Sequence, residues 1–183
     1  HVVCRRQRQM CIRDRRVAQD LGLKKITNLT KNLNIYDNPQ ELLSISLGSA
    51  ETTLLKLATA YGAFVNGGKL ITPTIIDRIQ DSTGKTIYNS ETRYCKNCKE
   101  ISYLSDKLPI IDNNFVRVFS PQTAYQITSM LEGVVQRGTG KGLKKLNLDI
   151  AGKTGTTNKN TDTWFIGYTS NLVIGVYLSL IHI

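Results

Sequence analysis

Two stretches of the chain place apolar residues at helical spacing. The first runs from Thr52 to Asn66 and is followed by Gly67 and Gly68, which favour a helix end because glycine adopts left-handed backbone without strain. Its apolar stripe consists of Leu54, Leu57, Ala58, Tyr61, Phe64 and Val65. We predict a core helix here, whose aromatic residues need no chemical role.

The second helical stretch runs from Ser120 to Arg137. Ser120 is a favourable N-cap and Pro121 suits the first helical turn. Gly138 ends the pattern, and residues 138–142 (GTGKG) predict a flexible connector. The apolar stripe of this helix consists of Ala124, Ile127, Leu131, Val134 and Val135.

The region before the first of these helices also carries helical signals. Val17–Leu23 predicts the end of a helix that stops near Gly22, and Lys24–Asn34 predicts another helix. Residues 37–39 (Asp-Asn-Pro) favour a turn. Glu41–Gly48 is short and apolar, and its pattern is compatible with either a helix or a strand.

The middle of the chain predicts a hairpin within Lys69–Tyr88. Thr74–Ile79 and Thr86–Tyr88 have the composition of strands, and Asp81–Gly84 has the composition of a turn. Residues 89–114 are polar and irregular, which predicts an inserted surface loop. The hairpin and the loop together cover about residues 69–119.

Strand patterns return in the last part of the chain. Leu146, Leu148 and Ile150 alternate with polar residues, which is typical of a half-buried strand. The predicted strands are Leu146–Thr156, Thr163–Thr169 and Leu172–Tyr177, with a tight turn between the last two. We therefore predict an α/β fold with a mainly antiparallel sheet, with the helix of residues 121–137 packed on one face and the helix of residues 52–66 nearby.

The two ends of the chain carry strings that read as one DNA sequence on opposite strands. Residues 10–15 are MCIRDR and residues 178–183 are LSLIHI. One codon choice for the first, ATGTGTATAAGAGACAG, is the reverse complement of one choice for the second, CTGTCTCTTATACACAT. The pair resembles the mosaic-end adapter of a transposase-based sequencing library. We predict that residues 1–16 and 178–183 are non-native tails. The alternative for residues 1–16 is a basic arm that binds nucleic acid or membrane.

Removing these tails changes the charge of the chain. The formal net charge of the 183 residues is +10, from 24 Lys and Arg against 14 Asp and Glu. Six of the basic residues and one acidic residue lie in residues 1–16, so the remainder carries 18 minus 13, or +5. This excess is modest and its cations are scattered without interleaved aromatic residues, so we expect no nucleic-acid partner. No run of 18 apolar residues is present.

The candidate chemistry lies in Lys153-Thr154-Gly155-Thr156, at the end of a predicted strand. Lys153 would place a positive charge in a cleft, and Gly155 would let a ligand backbone lie against the strand. Thr156 would offer its amide N–H and its hydroxyl to a peptide that adds as a strand. Lys-Thr-Gly is also one of the motifs of penicillin-binding proteins and class A β-lactamases.

A phosphate-binding loop is the competing interpretation of Gly152-Lys153-Thr154. That motif needs a glycine where this chain has Asn147, and it needs a helix after the lysine. Asp149 would also repel a phosphate group. We keep nucleotide binding as a distant alternative and expect neither a cofactor nor a metal.

Two further motifs lie in the predicted hairpin and loop. Residues 82–85 spell Ser-x-x-Lys, but Gly84 lies in the middle of a predicted turn, whereas a catalytic Ser-x-x-Lys needs a helix start. We reject Ser82 as a nucleophile. Cys95 and Cys98 are too few for a structural zinc site, so we favour a local disulfide or two free thiols and keep a redox or metal role as a minor alternative.

The sequence around the Lys-Thr-Gly motif closely resembles class A penicillin-binding proteins, the bifunctional peptidoglycan synthases. The resemblance includes KTGTTNKNTDTWFIGYT, SLGSAETTLLKLATAYGAFVNGGK and the helix that begins at Phe119-Ser120-Pro121. It covers nearly all of residues 17–177 and weakens around the cysteines. It implies that residues 17–177 are the C-terminal part of a transpeptidase domain with a β-lactamase-like fold.

The resemblance also implies a function for the parent protein. That function is a serine DD-transpeptidase, which acts on peptidoglycan stem peptides ending in D-Ala-D-Ala and is acylated by β-lactams at the periplasmic face of the bacterial inner membrane. Lys153, Thr154 and Thr156 would bind the substrate carboxylate, Gly155 would permit close approach, and the Thr156 N–H would complete the oxyanion hole. Trp164 would be a core residue or a wall of the cleft, with the core preferred.

The departure from the family pattern is equally informative. The family's Ser-x-x-Lys and Ser-x-Asn elements precede this region, and neither has a suitable counterpart in the chain. We therefore expect the nucleophile, the glycosyltransferase domain and the membrane anchor to lie upstream, and the chain alone to be inactive. A DD-carboxypeptidase, a β-lactamase and a non-enzymatic basic binding module are the other interpretations.

Overall fold

The computed structural model describes residues 2–90, 94, 95, 98, 108–112, 115–157 and 161–179. The helices are α1 (Val2–Leu21), α2 (Leu23–Asn32), α3 (Leu54–Val65) and α4 (Pro121–Gln136), and the strands are β1 (Arg78–Gln80), β2 (Thr86–Asn89), β3 (Tyr94–Cys95), β4 (Ile111–Asp112), β5 (Ala151–Thr156), β6 (Asp162–Tyr168) and β7 (Val173–Ser179). The chain divides into two compact units, residues 1–71 with 117–183 and residues 72–116.

The two long predicted helices are confirmed, with ends set by their capping residues. The Thr53 hydroxyl accepts a hydrogen bond from the Lys56 N–H at 3.2 Å and begins α3. The Ser120 hydroxyl does the same for α4, by accepting from the Thr123 N–H at 3.1 Å. Gly68, with φ of 89°, supplies the left-handed backbone that ends the α3 region.

The burial of α3 differs from its predicted stripe. Its most deeply buried residues are the small ones, Ala60, Gly62 and Ala63, while the larger residues of the stripe are half-buried. Ala60 and Ala63 form a core cluster with Leu33, against which Phe119 packs. Small side chains here allow neighbouring elements to approach the helix axis, so the apolar stripe alone underestimates how much of α3 is enclosed.

The predicted helices near the start of the chain are also confirmed. α1 ends at Leu21 before Gly22, whose φ is 86°, and α2 follows directly. Leu43–Leu47, which the sequence left open, forms a 3-10 helix that ends at the left-handed Gly48. Within the part of the chain that is described, no helix is both long enough and apolar enough to cross a membrane.

β5, β6 and β7 form the predicted antiparallel meander. β6 lies in the centre, with Lys153 opposite Ile166 and Trp164 opposite Tyr177 in the two ladders. α4 packs on β5, and α3 packs on β6 and β7. The hydroxyls of Thr128 in α4 and Tyr168 in β6 lie 3.0 Å apart and join the helix to the sheet. The prediction of an antiparallel sheet with α4 packed on it and α3 nearby is therefore confirmed.

The first half of the strand predicted at Leu146–Thr156 is wrong. Leu146 belongs to a 3-10 helix (Lys141–Leu146), and β5 begins only at Ala151. Asn147 ends the 3-10 helix with left-handed backbone, at φ of 53°. Leu146 and Leu148 are each 58% exposed, so their alternation with polar residues does not reflect a buried face.

The connector after α4 is more ordered than predicted. The N–H groups of Gly138 and Gly140 both donate to the Val134 carbonyl, at 3.1 and 3.0 Å. A Cβ on Gly138 would lie 2.8 Å from the Val134 backbone, so glycine is needed for this close turn. Residues 138–140 therefore form a turn closed on the end of α4 rather than a flexible connector.

The unit of residues 72–116 contains the predicted hairpin. β1 and β2 are antiparallel, and every residue in both strands is exposed. β1 begins at Arg78, four residues later than the sequence predicts. β3 pairs with β4, and Cys95 and Cys98 form a disulfide, which confirms the local disulfide over two free thiols.

Candidate active-site strand

β5 lies at one edge of its three-stranded sheet. Its ladder with β6 runs without a bulge from Ala151 opposite Tyr168 to Thr156 opposite Thr163. In the described part of the chain, β6 is its sole strand partner. The predicted site residues 153–156 thus lie together on an edge strand, where an extended peptide can add as a further strand.

Lys153 extends from β5 into solvent and turns back along the strand. Its side chain is exposed, and its Nζ atom donates to the Thr154 carbonyl oxygen at 2.6 Å. An ammonium group carries three N–H donors, so the contact with Thr154 uses one of them. A carboxylate that approaches this edge of β5 therefore meets a compact positive charge held against the strand backbone.

Thr154 lies on the opposite face of β5 from Lys153, because side chains alternate along a strand. Its hydroxyl lies 2.9 Å from the hydroxyl of Thr139, which belongs to the turn after α4. No role for Thr139 could be predicted from the sequence, because a threonine between two glycines gives no periodic or motif signal. Only the folding of the connector against β5 brings the two hydroxyls together.

Gly155 faces Trp164 across the β5–β6 ladder. A Cβ on Gly155 would lie 3.3 Å from the Trp164 Cβ, which is tighter than most such contacts. Trp164 is half-buried, and its ring centroid lies 4.5 Å from that of Tyr177. The preferred expectation that Trp164 is a core residue therefore fails, because its ring forms part of a half-exposed aromatic pair beside the strand.

Gly152 is a second residue whose importance the sequence did not indicate. It is buried, and a Cβ there would lie 2.9 Å from the Ile166 carbonyl oxygen and 3.2 Å from the Gly167 Cα. Any other residue at this position would push β5 away from β6. The glycine before Lys153 thus preserves the register on which the position of the lysine depends.

Hydrogen bonds on both sides of the β5–β6 connection hold the far end of β5. Thr156 is exposed and ends the strand. The Thr157 N–H donates to the Asp162 carbonyl at 3.0 Å, and the Asp162 N–H donates to the Thr157 hydroxyl at 2.9 Å. Thr156 therefore lies beside a short connection whose two ends are tied to each other.

The Asp162 carboxylate lies at the start of β6 and accepts several hydrogen bonds. The hydrogen bond from the Ser179 hydroxyl is the largest cause that holds the pKa of Asp162 below its ordinary value. Desolvation opposes this shift, and the Tyr177 hydroxyl, which donates at 3.1 Å, adds to it. Hydrogen bonds to the charged form favour ionisation. Asp162 is therefore a carboxylate that links the ends of β6 and β7.

The structure contradicts the phosphate-loop interpretation. Lys153 lies inside an antiparallel strand, whereas that motif requires a lysine at the start of a helix after a glycine-rich loop. The interpretation of residues 152–154 as a nucleotide site is therefore wrong. The rejection of Ser82 also agrees with the structure, because Ser82 lies in the exposed hairpin turn that contains Gly84 at φ of 84°.

The arrangement on β5 can bind an anionic peptide end. It combines an edge strand for backbone pairing, a lysine for charge and threonine hydroxyls for hydrogen bonds. Such a site can orient a carboxylate and a neighbouring carbonyl group. By itself it supplies no nucleophile.

Comparison with known proteins agrees with this geometry. A family model described as the penicillin binding protein transpeptidase domain matches residues 16–180. Penicillin-binding protein 1A from Rickettsia bellii is 46% identical over 165 residues, which are 89% of this chain and 21% of that protein. Penicillin-binding protein 1A from Neisseria lactamica is 37% identical over 145 residues, 76% of this chain and 16% of that protein. The chain thus spans about a fifth of the length of the curated relatives it matches.

Solved structures share the same fold. The crystal structure of penicillin-binding protein 1A from Haemophilus influenzae superposes with a TM-score of 0.73 and 30% sequence identity. The match includes 91% of this chain and 28% of the Haemophilus chain. The structure of the PonA1 protein from Mycobacterium tuberculosis in complex with penicillin V superposes with a TM-score of 0.58 and 22% sequence identity. The match includes 75% of this chain and 32% of the PonA1 chain, and it supports the fold alone.

An antiparallel sheet with packed helices and a Lys-Thr-Gly edge strand is typical of the class that comprises penicillin-binding proteins and class A β-lactamases. This chain belongs to the penicillin-binding protein transpeptidase family, and its resemblance to class A members of that family is confirmed.

Proposed function

We propose that this chain supplies the substrate-binding strand of a serine DD-transpeptidase that cross-links peptidoglycan stem peptides ending in D-Ala-D-Ala. The observation that carries the proposal is the Lys-Thr-Gly-Thr sequence on an edge strand, with the Lys153 ammonium against the strand backbone and the Thr154 hydroxyl held by a second hydroxyl. The proposal concerns the longer protein that contains this segment, together with its place outside the cytoplasm at the bacterial inner membrane.

In the proposed reaction a serine oxygen attacks the carbonyl carbon of the penultimate D-Ala. The bond from that carbon to the terminal D-Ala nitrogen breaks, the leaving amine takes up a proton, and the acyl group stays on the serine as an ester. An amine of a neighbouring stem peptide then attacks the ester, forms the new amide and returns a proton to the serine. A β-lactam acylates the same serine through its own amide carbonyl.

The residues of β5 have separate roles in this proposal. The peptide pairs with the edge of β5, and the absent side chain of Gly155 lets it approach the strand. The Lys153 ammonium and the hydroxyls of Thr154 and Thr156 bind the terminal carboxylate. The Thr156 N–H donates to the oxygen on which negative charge develops during acylation.

The nucleophile is not assigned to this chain. Its sole Ser-x-x-Lys lies at residues 82–85, in the exposed turn of the hairpin, and the sequence contains no Ser-x-Asn. We therefore expect that residues 1–183 alone do not react with penicillin, while the full-length protein does.

Labelling with a fluorescent penicillin, followed by denaturing electrophoresis, tests the proposal. In the full-length protein, we expect Lys153→Ala to slow labelling by roughly 10- to 100-fold, because a hydrogen bond to a charged group is lost. Lys145→Ala is the matched control, since Lys145 is an exposed lysine shortly before β5. Equal labelling of the two variants would contradict the role of Lys153.

The reaction product separates a transpeptidase from its relatives. Incubation with a stem-peptide substrate and an acceptor amine is expected to give the cross-linked amide. Release of the shortened free acid alone would indicate a carboxypeptidase instead. A labelled band from residues 1–183 that maps to Ser82 would overturn the assignment of the nucleophile to another part of the protein.

A further inference from the structure

The hydroxyls of Thr139 and Thr154 form a hydrogen bond between two elements that are separate in the sequence. Their Oγ1 atoms lie 2.9 Å apart, although the two residues are 15 positions apart in the sequence. Thr139 lies in the turn after α4, and Thr154 lies on the edge strand that carries the proposed site. The bond therefore connects the end of a packed helix to the residue next to Lys153.

The turn that carries Thr139 is held firmly on both sides. The N–H groups of Gly138 and Gly140, its two neighbours in the chain, donate to the same Val134 carbonyl. Gly140 is buried, and Val135 beside it is only 1% exposed. A threonine between two such anchored glycines has little backbone freedom, so its hydroxyl is presented to β5 at a defined point.

The proton arrangement in this pair determines what Thr154 can do. A hydroxyl has one hydrogen to donate and can also accept. When the Thr139 hydroxyl donates to the Thr154 oxygen, the hydrogen of Thr154 is available for a third group. Donation in this direction also polarises the Thr154 hydroxyl and strengthens its own hydrogen bond.

We propose that Thr139 is a positioning residue for the carboxylate site, which directs the Thr154 hydroxyl hydrogen towards the substrate carboxylate. The inference rests on the proposed function, and it adds a residue that does not itself touch the substrate. The order of donation is Thr139 to Thr154 to carboxylate. The Lys153 side chain starts on the other face of β5, but its ammonium is bonded to the carbonyl of the same Thr154 and so supplies positive charge at that residue.

The test measures the acylation rate constant of the full-length protein with a penicillin. We expect Thr139→Val, which keeps the branched shape, to slow acylation by roughly three- to tenfold, the effect of one net hydrogen bond. Thr139→Ser, which keeps the hydroxyl, should react at close to the original rate. Thr169→Val is the matched control, because it removes a hydroxyl contact of similar length to Asn171 in the β6–β7 turn.

Two further measurements separate a positioning role from a merely structural one. With the methyl ester of the same penicillin, whose carboxylate is masked, Thr139→Val should have no effect on the rate. In a Thr154→Val background, Thr139→Val should add nothing further, since the two residues act through one hydrogen bond. If Thr139→Val lowers the melting temperature, Thr139→Ala replaces it in each assay.

The outcomes distinguish this inference from the proposed function. An equal loss with the acid and the ester, or an additive loss in the Thr154→Val background, would overturn the role of Thr139 while leaving the function intact. Failure of Lys153→Ala to slow acylation would instead overturn the proposed function. Full activity of Thr139→Val with the acid would also refute the inference.

Discussion

The hairpin and the three-stranded sheet each carry a Thr-Gly pair next to a lysine, and the two regions use it in opposite ways. In the hairpin, Thr83-Gly84-Lys85 forms an exposed turn, and the Asp81 carboxylate accepts from the N–H groups of Thr83 and Lys85 at 2.9 Å each. In the sheet, Lys153-Thr154-Gly155 lies in a strand whose polar groups reach Thr139. In the hairpin, the polar groups of the turn are satisfied by local hydrogen bonds. In the sheet, the Thr154 hydroxyl contacts Thr139 in another element, and the strand that carries it is an edge strand.

This contrast shows why the letters of a motif are weak evidence until their structural context is known. Every residue of β1 and β2 is exposed, so the hairpin offers no enclosed surface beside its Ser-x-x-Lys. β5 begins with the buried Ala151 and Gly152, and its remaining residues are partly or fully exposed. Lys153 is therefore anchored by a buried stretch of backbone while its side chain is accessible to a ligand, as a binding site requires.

Stability measurements should give the largest difference between the two regions. Ile166 is 2% exposed in the centre of the sheet, so we expect Ile166→Ala to lower the free energy of unfolding by about 2–5 kcal/mol. Ile87→Ala in the hairpin, where the side chain is 69% exposed, should change it by less than about 0.5 kcal/mol. Denaturant unfolding of the full-length protein checks both. Comparable losses would show that the hairpin is covered in the native protein.

Replacing a threonine in the sheet should slow acylation, whereas replacing one in the hairpin should not, and this difference should be smaller than the difference in stability. We expect Thr156→Val to slow penicillin acylation by roughly three- to tenfold, because one hydroxyl donor is lost while the backbone N–H remains. The loss should be smaller than that for Lys153→Ala. Thr83→Val is the control in the hairpin turn, and its acylation rate should be unchanged. A larger effect of Thr156→Val than of Lys153→Ala would reverse the proposed roles.

The carboxylates of the two regions should show the smallest effects. Hydrogen bonds, chiefly from the Thr83 side chain, lower the pKa of Asp81, as those from Ser179 and Tyr177 lower the pKa of Asp162. Because both pKa values are lower in the folded state, each carboxylate stabilises the fold above the unfolded pKa of about 3.9, and this contribution disappears as the pH falls through the folded pKa.

Titration of the carboxyl groups by nuclear magnetic resonance checks these assignments. We expect Thr83→Val to raise the pKa of Asp81 by more than Tyr177→Phe raises that of Asp162, because Thr83 is the largest cause at Asp81 whereas Tyr177 is a weaker donor than Ser179 at Asp162. Thr83→Val should leave the pKa of Asp162 unchanged, and Tyr177→Phe should leave the pKa of Asp81 unchanged. A shift at both positions would indicate a general change in the fold.

The parts of the fold with strong local signals could be predicted from the sequence. α3 and α4 lie within two residues of their predicted ends, because periodic apolar residues, caps and glycines all agree there. The meander follows in the same way from short apolar runs and a turn. Lys153, Thr154, Gly155 and Thr156 were located by motif and resemblance, and the structure places them on one strand.

The parts that could not be predicted depend on contacts between distant residues. The alternation at Leu146–Ile150 looks like a strand, yet a 3-10 helix and the left-handed Asn147 replace it. Thr139 reaches Thr154 only because two glycines close the turn after α4. Gly152 matters only because β6 passes within 3 Å of the place where its Cβ would be.

The lack of space for a side chain at Gly152 has a practical consequence for finding this kind of site in other sequences. Three letters such as Lys-Thr-Gly recur by chance in many unrelated chains, so a search on them returns mostly false matches. In the register seen here, a side chain before the lysine would collide with the backbone of the next strand. A search that also demands glycine at that preceding position, followed by a second strand, would filter candidates by geometry as well as by letters.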